Sequence, residues 1–460
     1  MLVNDSTLNK VIDQALAQGA DFAEVYLEDT RRRQFSYLDA RPEKAISGHT
    51  LGAGIRVFAG TEQIYTYTND LSEAGLLRAS TQAAAALKAT HARKTEVRPP
   101  QSLEHFGTPR GSARAESQKQ WASLKQMDGV ARAYSGLISQ VHAEMAETHK
   151  NVQIINSEGV HRTEARNYLN AMVRVYAEEN GNKEYGYERT AFIGTPDDWE
   201  KVDFSLLAQN AAAQSVRILR ADWTPAGEMP VLIDSGFGGV IFHEACGHGL
   251  ETTSVAKNAS VFCGKLNERV AHECVTAIDD GTIPGDYGSL AIDDEGESTR
   301  RTVLIENGIL KSYIVDKMGA RKTGLNITGS GRRQDYRFAP TSRMRNTFIA
   351  PGNATFEDMI RDIDYGLYAK SLGGGSVMPG TGSYNFAVNE AFIVRNGKIE
   401  KQVKGASLIG TGIETLGRIV KVGRELKLAP GTCGSISGMI PVTVGQPPIL
   451  VSKLTVGGKA

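Results

Sequence analysis

The residues best equipped for chemistry are His243, Glu244 and His248, in the run His243-Glu244-Ala245-Cys246-Gly247-His248-Gly249-Leu250-Glu251. Imidazole is a common zinc ligand, and a carboxylate beside the ligand can take a proton from water at the metal. The familiar zinc-protease spacing is H-E-x-x-H, and this run is one residue longer. On an ideal α-helix an i,i+4 pair sits roughly 40° apart and an i,i+5 pair roughly 140° apart. Rings that far round a helix do not share an ion. A π-bulge nearly superposes i and i+5, and Gly247 would ease that distortion or end the helix. The spacing therefore predicts a helix widened or broken between Ala245 and His248. The plain alternative is two unrelated histidines on a glycine-punctuated helix.

A catalytic zinc usually has three protein ligands. Glu251, Cys246, Cys263, Cys274 and Cys433 are candidates for the third, and spacing does not choose among them. Glu251 lies about one helical turn beyond His248. Cys246, between the histidines, would strain any ring it closed. Cys433 sits in Pro430-Gly431-Thr432-Cys433-Gly434, a turn whose glycines allow close backbone approach. The usual fate of a lone cysteine is burial as a small hydrophobe.

The run from His243 to Glu251 resembles the H-E-x-x-x-H-G-x-E signature of the TldD/PmbA family of metallopeptidases. The resemblance continues through Asp293-Asp294-Glu295-Gly296, Thr328-Gly329-Ser330-Gly331-Arg332-Arg333 and Leu372-Gly373-Gly374-Gly375. It extends to Gly431-Thr432-Cys433-Gly434 and Gln446-Pro447-Pro448. It implies zinc held by His243, His248 and Cys433, with Glu244 as general base and Glu251 supporting the site. It also implies cleavage of unfolded or extended peptides with little sequence preference. The expected assembly is a homodimer, or a heterodimer with a TldE/PmbA-type paralogue that has lost the motif. This chain keeps every motif residue, as the active TldD type does. Gly329, Gly331, Arg332, Gly374 and Gly375 are the expected substrate-binding residues, because glycine-freed backbone can accept a peptide as an added strand. The alternatives are a zinc hydrolase acting on a non-peptide amide or ester, and a catalytically silent structural subunit. A structural zinc needs no base, so the intact Glu244 argues against the latter.

The surrounding chain must position these groups. At 460 residues it is long enough for two or three domains. Lys+Arg and Asp+Glu balance at 52 each, so no global field argues for nucleic acid or an anionic membrane. No segment approaches the roughly 20 apolar residues of a membrane span, and the first residues carry no signal-peptide pattern. A cytoplasmic location is therefore expected, in which the four cysteines stay reduced and one can serve as a thiolate ligand. Gly236-Phe237-Gly238-Gly239 lacks the full fingerprint of a nucleotide-binding turn.

The fold class expected is α+β, an N-terminal helix-and-sheet half followed by a strand-rich C-terminal domain carrying the metal-binding helix. The divisions are 1–92 (α/β subdomain), 93–110 (linker), 111–222 (second helix-and-sheet subdomain) and 223–460 (strand-rich metallopeptidase domain). Leu8, Val11, Ile12 and Ala15 mark a first helix, with Asp5 or Ser6 as cap. Strands follow near Ala23–Leu27, Gln34–Leu38, Leu51–Phe58 and Gln63–Thr68, then a helix from about Ser72 to Leu87. Arg31-Arg32-Arg33 reads as a solvated strand edge. A helix is expected from about Ala115 to Lys150, interrupted near Gly129. Asn180-Gly181, Asn307-Gly308 and Asn396-Gly397 mark three hairpins. Helices are expected over Thr355–Asp362 and Ile413–Val422, with two final strands within Ser437–Val456. His105, His142, His149 and His161 form no constellation.

Overall fold

The structure is a computed structural model that describes residues 2–87, 104–107, 116–378 and 380–459. The linker expected over 93–110 lies outside the described residues, apart from 104–107. Mixed α/β structure with a strand-rich C-terminal part is what the chain forms.

Period-2 alternation builds the first half. Helix α1 (Asp5–Leu16) precedes three antiparallel strands, β1 (Phe22–Leu38), β2 (Arg41–Ala59) and β3 (Glu62–Thr68), and helix α2 (Glu73–Ala86). A short strand β4 (Glu104–Gly107), helix α3 (Glu116–Tyr134), three long strands and helix α4 (Phe204–Leu219) complete it. Those strands are β5 (Ile138–Asn156), β6 (His161–Glu179) and β7 (Asn182–Ile193). All seven strands share one sheet, in the order β3-β2-β1-β5-β6-β4 with β7 also on β6. Odd-numbered side chains such as Val25, Leu27, Val141, Met145 and Val173 form the apolar face under the four helices.

The even-numbered face is polar, and the second half covers it. Glu24, Arg56 and Arg166 are all buried there. Arg56 reaches Glu24 at 2.6 Å and Glu295 at 2.7 Å, and Arg166 reaches Asp294 at 2.5 Å. Arg333 joins Glu24 at 2.7 Å. Asp294, Glu295 and Arg333 are thus residues on which the second half meets the first sheet. Tyr26, Val152 and Ile154 pack with Ile292 and Tyr336 beside them.

Several local expectations are corrected. Asn4, not Asp5 or Ser6, caps the first helix, its side chain accepting from Thr7 N–H. The helix foreseen to Lys150 stops at Tyr134, running through Gly129, and Ile138 onward is strand. Val141, Ala143 and Met145 alternate inward there, so burial on the sheet overrides the helix propensity of Ala, Glu and Met. The Arg31-Arg32-Arg33 run is no edge: β1 is central, with Arg31 opposite both His49 and His149. The helix near Ile413 spans Gly412–Arg418 and yields to a strand at Ile419–Val422. The Asn-Gly hairpins form as expected, with positive φ at both residues of each pair.

In the second half, strand Gly227–Ile233 pairs with Tyr365–Met378 on one side and Ile449–Gly457 on the other. Pairing continues through Ala406–Thr411 and Ser383–Arg395 and returns to Tyr365–Met378, a closed circuit. A second, six-stranded sheet holds Ala277–Asp280, Asn346–Ile349, Gly438–Gln446 and Lys427–Ser435. Val240, Ile241, Phe242, Ala245, Cys246 and Leu250, on the histidine-bearing helix, pack between the two sheets in one core.

Candidate metal centre

The helix that carries the histidines starts where strand Gly227–Ile233 ends. Gly236, at φ +77°, makes the turn, and a short 3₁₀ segment over Gly236–Gly239 follows. A Cβ on Gly239 would collide with the Gly445 backbone, so glycine lets the helix lie directly on strand Gly438–Gln446. That strand pairs with Lys427–Ser435, with Cys433 opposite Ile440. One crossing thus delivers Cys433 to a helix far away in sequence.

The helix widens where the spacing requires it. His243–Gly247 is a π-helix, and His248 N–H donates to the His243 carbonyl. Both rings consequently face one side, their centroids 5.2 Å apart and nearly perpendicular. Gly247 contributes space rather than backbone freedom. Its conformation is ordinary right-handed helix, and any Cβ would collide with Met344 Sδ.

One donor atom each from His243, His248 and Cys433 lies within 4.8 Å of the others, all three residues being buried. Cys433 Sγ is 3.3 Å from His248 Nε2. His248 Nδ1–H donates to Glu251 Oε2 at 3.1 Å, which leaves Nε2 to face the cluster. Glu244 Oε2 stands 3.6 Å from His248 Nε2 with about a quarter of its side chain exposed. Neither ring nitrogen of His243 has a hydrogen-bond partner among the described residues, though the ring is 1% exposed. A buried polar atom left so costs about 1–3 kcal/mol. Two imidazoles and a thiol are a donor set suited to zinc, and ligation would satisfy the orphaned His243 nitrogen.

The local charges prepare the thiol as well. Burial alone would raise the Cys433 pKa, but the His243 and His248 imidazoles beside it bring it down to about 3. Burial disfavours charge on His248, yet Glu251 and Cys433 raise it well above the usual imidazole range. Both shifts favour the thiolate form of Cys433.

Sequence reasoning missed Arg343 and Met344. Arg343 is fully buried and donates to the Cys433 carbonyl at 2.7 Å, Ser437 Oγ at 2.9 Å and Gly438 O at 3.0 Å. Its Nε is 4.0 Å from Glu251 Oε1. One guanidinium therefore ties the Cys433 turn to the carboxylate that orients His248. The only signal in the sequence is three arginines close together in Arg337–Arg345, too ordinary to single one out.

The remaining candidates stand elsewhere. Cys246 points into the core, where burial raises its thiol pKa. Cys263 Sγ contacts the Val255 carbonyl at 3.6 Å, and Cys274 lies 3.1 Å from His272 Nδ1. Gly329, Gly331 and Arg332 are packed inside: a Cβ on Gly331 would collide with Glu295, and Arg332 donates to the Met344 and Pro441 carbonyls. Gly374 and Gly375 lie on the exposed end of strand Tyr365–Met378. The turn that follows that strand reaches the histidine helix, with Gly412 N–H on Gly382 O and Gly412 against Ala245.

The PmbA/TldA metallopeptidase C-terminal domain matches residues 226–458, domain 1 matches 23–87 and the central domain 113–219. A metalloprotease TldD homolog of Haemophilus influenzae is 33% identical over 99% of this chain and 97% of its own. A zinc metalloprotease TldD homolog of Saccharolobus solfataricus is 33% identical over 56% of this chain and 57% of its own. In fold, the chain is similar to the crystal structure of TldE from Thermococcus kodakarensis, with a TM-score of 0.78 at 18% identity, covering 98% of this chain and all of that one.

Proposed function

The chain belongs to the TldD/PmbA metallopeptidase family, and from that premise we propose that it is a zinc peptidase acting on extended peptides, with Glu244 as general base. The observation that carries the reading is the convergence of His243, His248 and Cys433 beside a partly exposed Glu244. Those three residues would hold the ion. When bound, zinc supplies Lewis acidity, polarising a carbonyl and making water easier to deprotonate.

The chain's own groups do the rest. Glu244 Oε2, at the rim of the cluster, is placed to take the proton of the attacking water and pass it to the leaving amine. Glu251 holds the His248 ring in one orientation, and Arg343 holds Glu251 and the Cys433 turn together. Beyond Ala369, strand Tyr365–Met378 is paired with Ser383–Arg395 on one side, and its other edge has no strand partner among the described residues. A peptide added there would run past Gly374 and Gly375, its main chain recognised and its side chains largely ignored. We assign the substrate path to this edge rather than to the buried Gly329, Gly331 and Arg332. Pairing with a second copy or with a TldE/PmbA-type paralogue belongs to the same reading, and native mass with and without a paralogue distinguishes them.

The test is Glu244→Gln. The variant should keep its fold and its metal while cleavage of an unstructured peptide falls about 10²-fold or more. Small esters and amides assayed alongside separate peptidase from general hydrolase. A Glu244→Gln protein as active as wild type removes the mechanism.

A further inference from the structure

A cleft of about 500 Å³ lies behind strand Lys427–Ser435, between the first sheet and the second half. Side chains alternate along a strand, so Thr432 faces this cleft while Cys433 faces His248. The cleft is therefore separate from the metal centre.

Strand register builds one wall. Arg32 on β1, Thr148 on β5 and Tyr168 on β6 form one cross-strand row on the even-numbered face. From β7, Arg189 lays its guanidinium over the Tyr287 ring at 5.5 Å, and Tyr287 meets Tyr168 edge-on at 5.6 Å. Arg332 enters from the opposite wall at 2% exposure.

Six basic and three acidic side chains line the cleft. Every acid is already matched: Glu28 by Lys150 at 3.4 Å, Asp294 by Arg166 at 2.5 Å and Asp335 by Arg337 at 2.7 Å. Arg333 is matched by Glu24 just behind the wall. Arg32, Arg189 and Arg332 have no carboxylate partner among the described residues. Arg32 donates to Gln34 Oε1, Arg189 to Asn170 Oδ1 and Thr432 Oγ1, and Arg332 to two carbonyls. A guanidinium has five donors in a fixed fork, so each arginine keeps donors to spare. Burying Arg332 with no carboxylate at ion-pair distance among the described residues is unfavourable, and the volume is that of a small-molecule site.

We infer that this cleft binds a small polyanion, its carboxylate or phosphate oxygens held by Arg32, Arg189 and Arg332 with Tyr168 and Tyr287 alongside. Planar forks from three segments suit bidentate oxyanion recognition, and the aromatic faces limit the ligand's depth.

Isothermal titration of the full, metal-loaded chain tests it, with citrate as the tricarboxylate probe and pyrophosphate as the phosphate probe at low salt. Saturable one-to-one binding is expected, with the tighter probe identifying the ligand's chemistry. Arg32→Ser and Arg189→Ser, both at solvent-accessible positions, should each weaken it about tenfold or more. Arg31→Ser, on the opposite face of the same strand, should leave it unchanged. The inference is overturned if neither probe saturates, if Arg32→Ser and Arg189→Ser bind as wild type does, or if Arg31→Ser weakens binding equally.

Discussion

Glu251 offers a sensitive probe of the centre because it touches one proposed ligand and no substrate. It is 2% exposed, accepts from His248 Nδ1 at 3.1 Å and, among the described residues, has its other oxygen unbonded with the Arg343 guanidinium 4.0 Å away. Glu251→Gln keeps the shape and an acceptor for Nδ1–H but removes the charge. Charge assistance roughly doubles a hydrogen bond of about 1 kcal/mol, so zinc affinity should fall about five- to tenfold. Glu251→Ala also frees the ring to rotate and leaves Arg343 without a facing charge. Its loss should approach 100-fold, the upper range for such supporting carboxylates, or about 2.7 kcal/mol. The assay is competition for zinc against a chromophoric chelator, with circular dichroism confirming the fold. Cobalt substitution adds a spectroscopic check, since a rotated imidazole alters the ligand-field bands. Affinity in Glu251→Ala within threefold of wild type would refute the reasoning that Glu251 fixes His248 for an ion.

Other consequences follow from packing and burial. Gly247→Ala should cost about 1–3 kcal/mol by overpacking against Met344 and should loosen metal binding with it. Met344→Ala in the same chain should recover part of the affinity, and urea melts with metal titrations read both. Burial, with Asp280 adding repulsion, pushes the Asp286 carboxyl up to about 6, and its Oδ2 has no hydrogen-bond partner among the described residues. Because that folded value lies above the unfolded one of about 3.9, the protonated form's contribution is complete below about pH 4 and lost as pH rises through 6. Asp286→Asn should therefore match wild type in acid and exceed it by about 1 kcal/mol at pH 7, after allowing for partial solvent screening. A stability difference that does not change with pH would contradict this.

How much of this was legible depends on how local the cause is. The π-helix follows from counting residues between His243 and His248, since five steps of an α-helix would turn the rings apart. Asn-Gly pairs report their turns because only a few residues accept positive φ. Cys433 is different. It reaches His248 only through the pairing of two strands and their crossing with the Gly239 helix, none of which spacing encodes. Family resemblance, not periodicity, pointed to it. Residues 138–150 read as helix by composition, and only their packing on the sheet makes them strand. Charged residues such as Glu24, Arg56 and Arg333 look like surface in a sequence. Here they are buried because each finds its counter-charge on the other half of the molecule.

The central claim is that two imidazoles and a thiolate from distant segments grip one ion. Metal analysis of the purified chain beside His243→Ala and Cys433→Ser, each checked for native fold, addresses it most directly. Stoichiometric zinc in wild type and little or none in either folded variant is the predicted result. Zinc retained at the wild-type level after loss of Cys433 or His243 would contradict it.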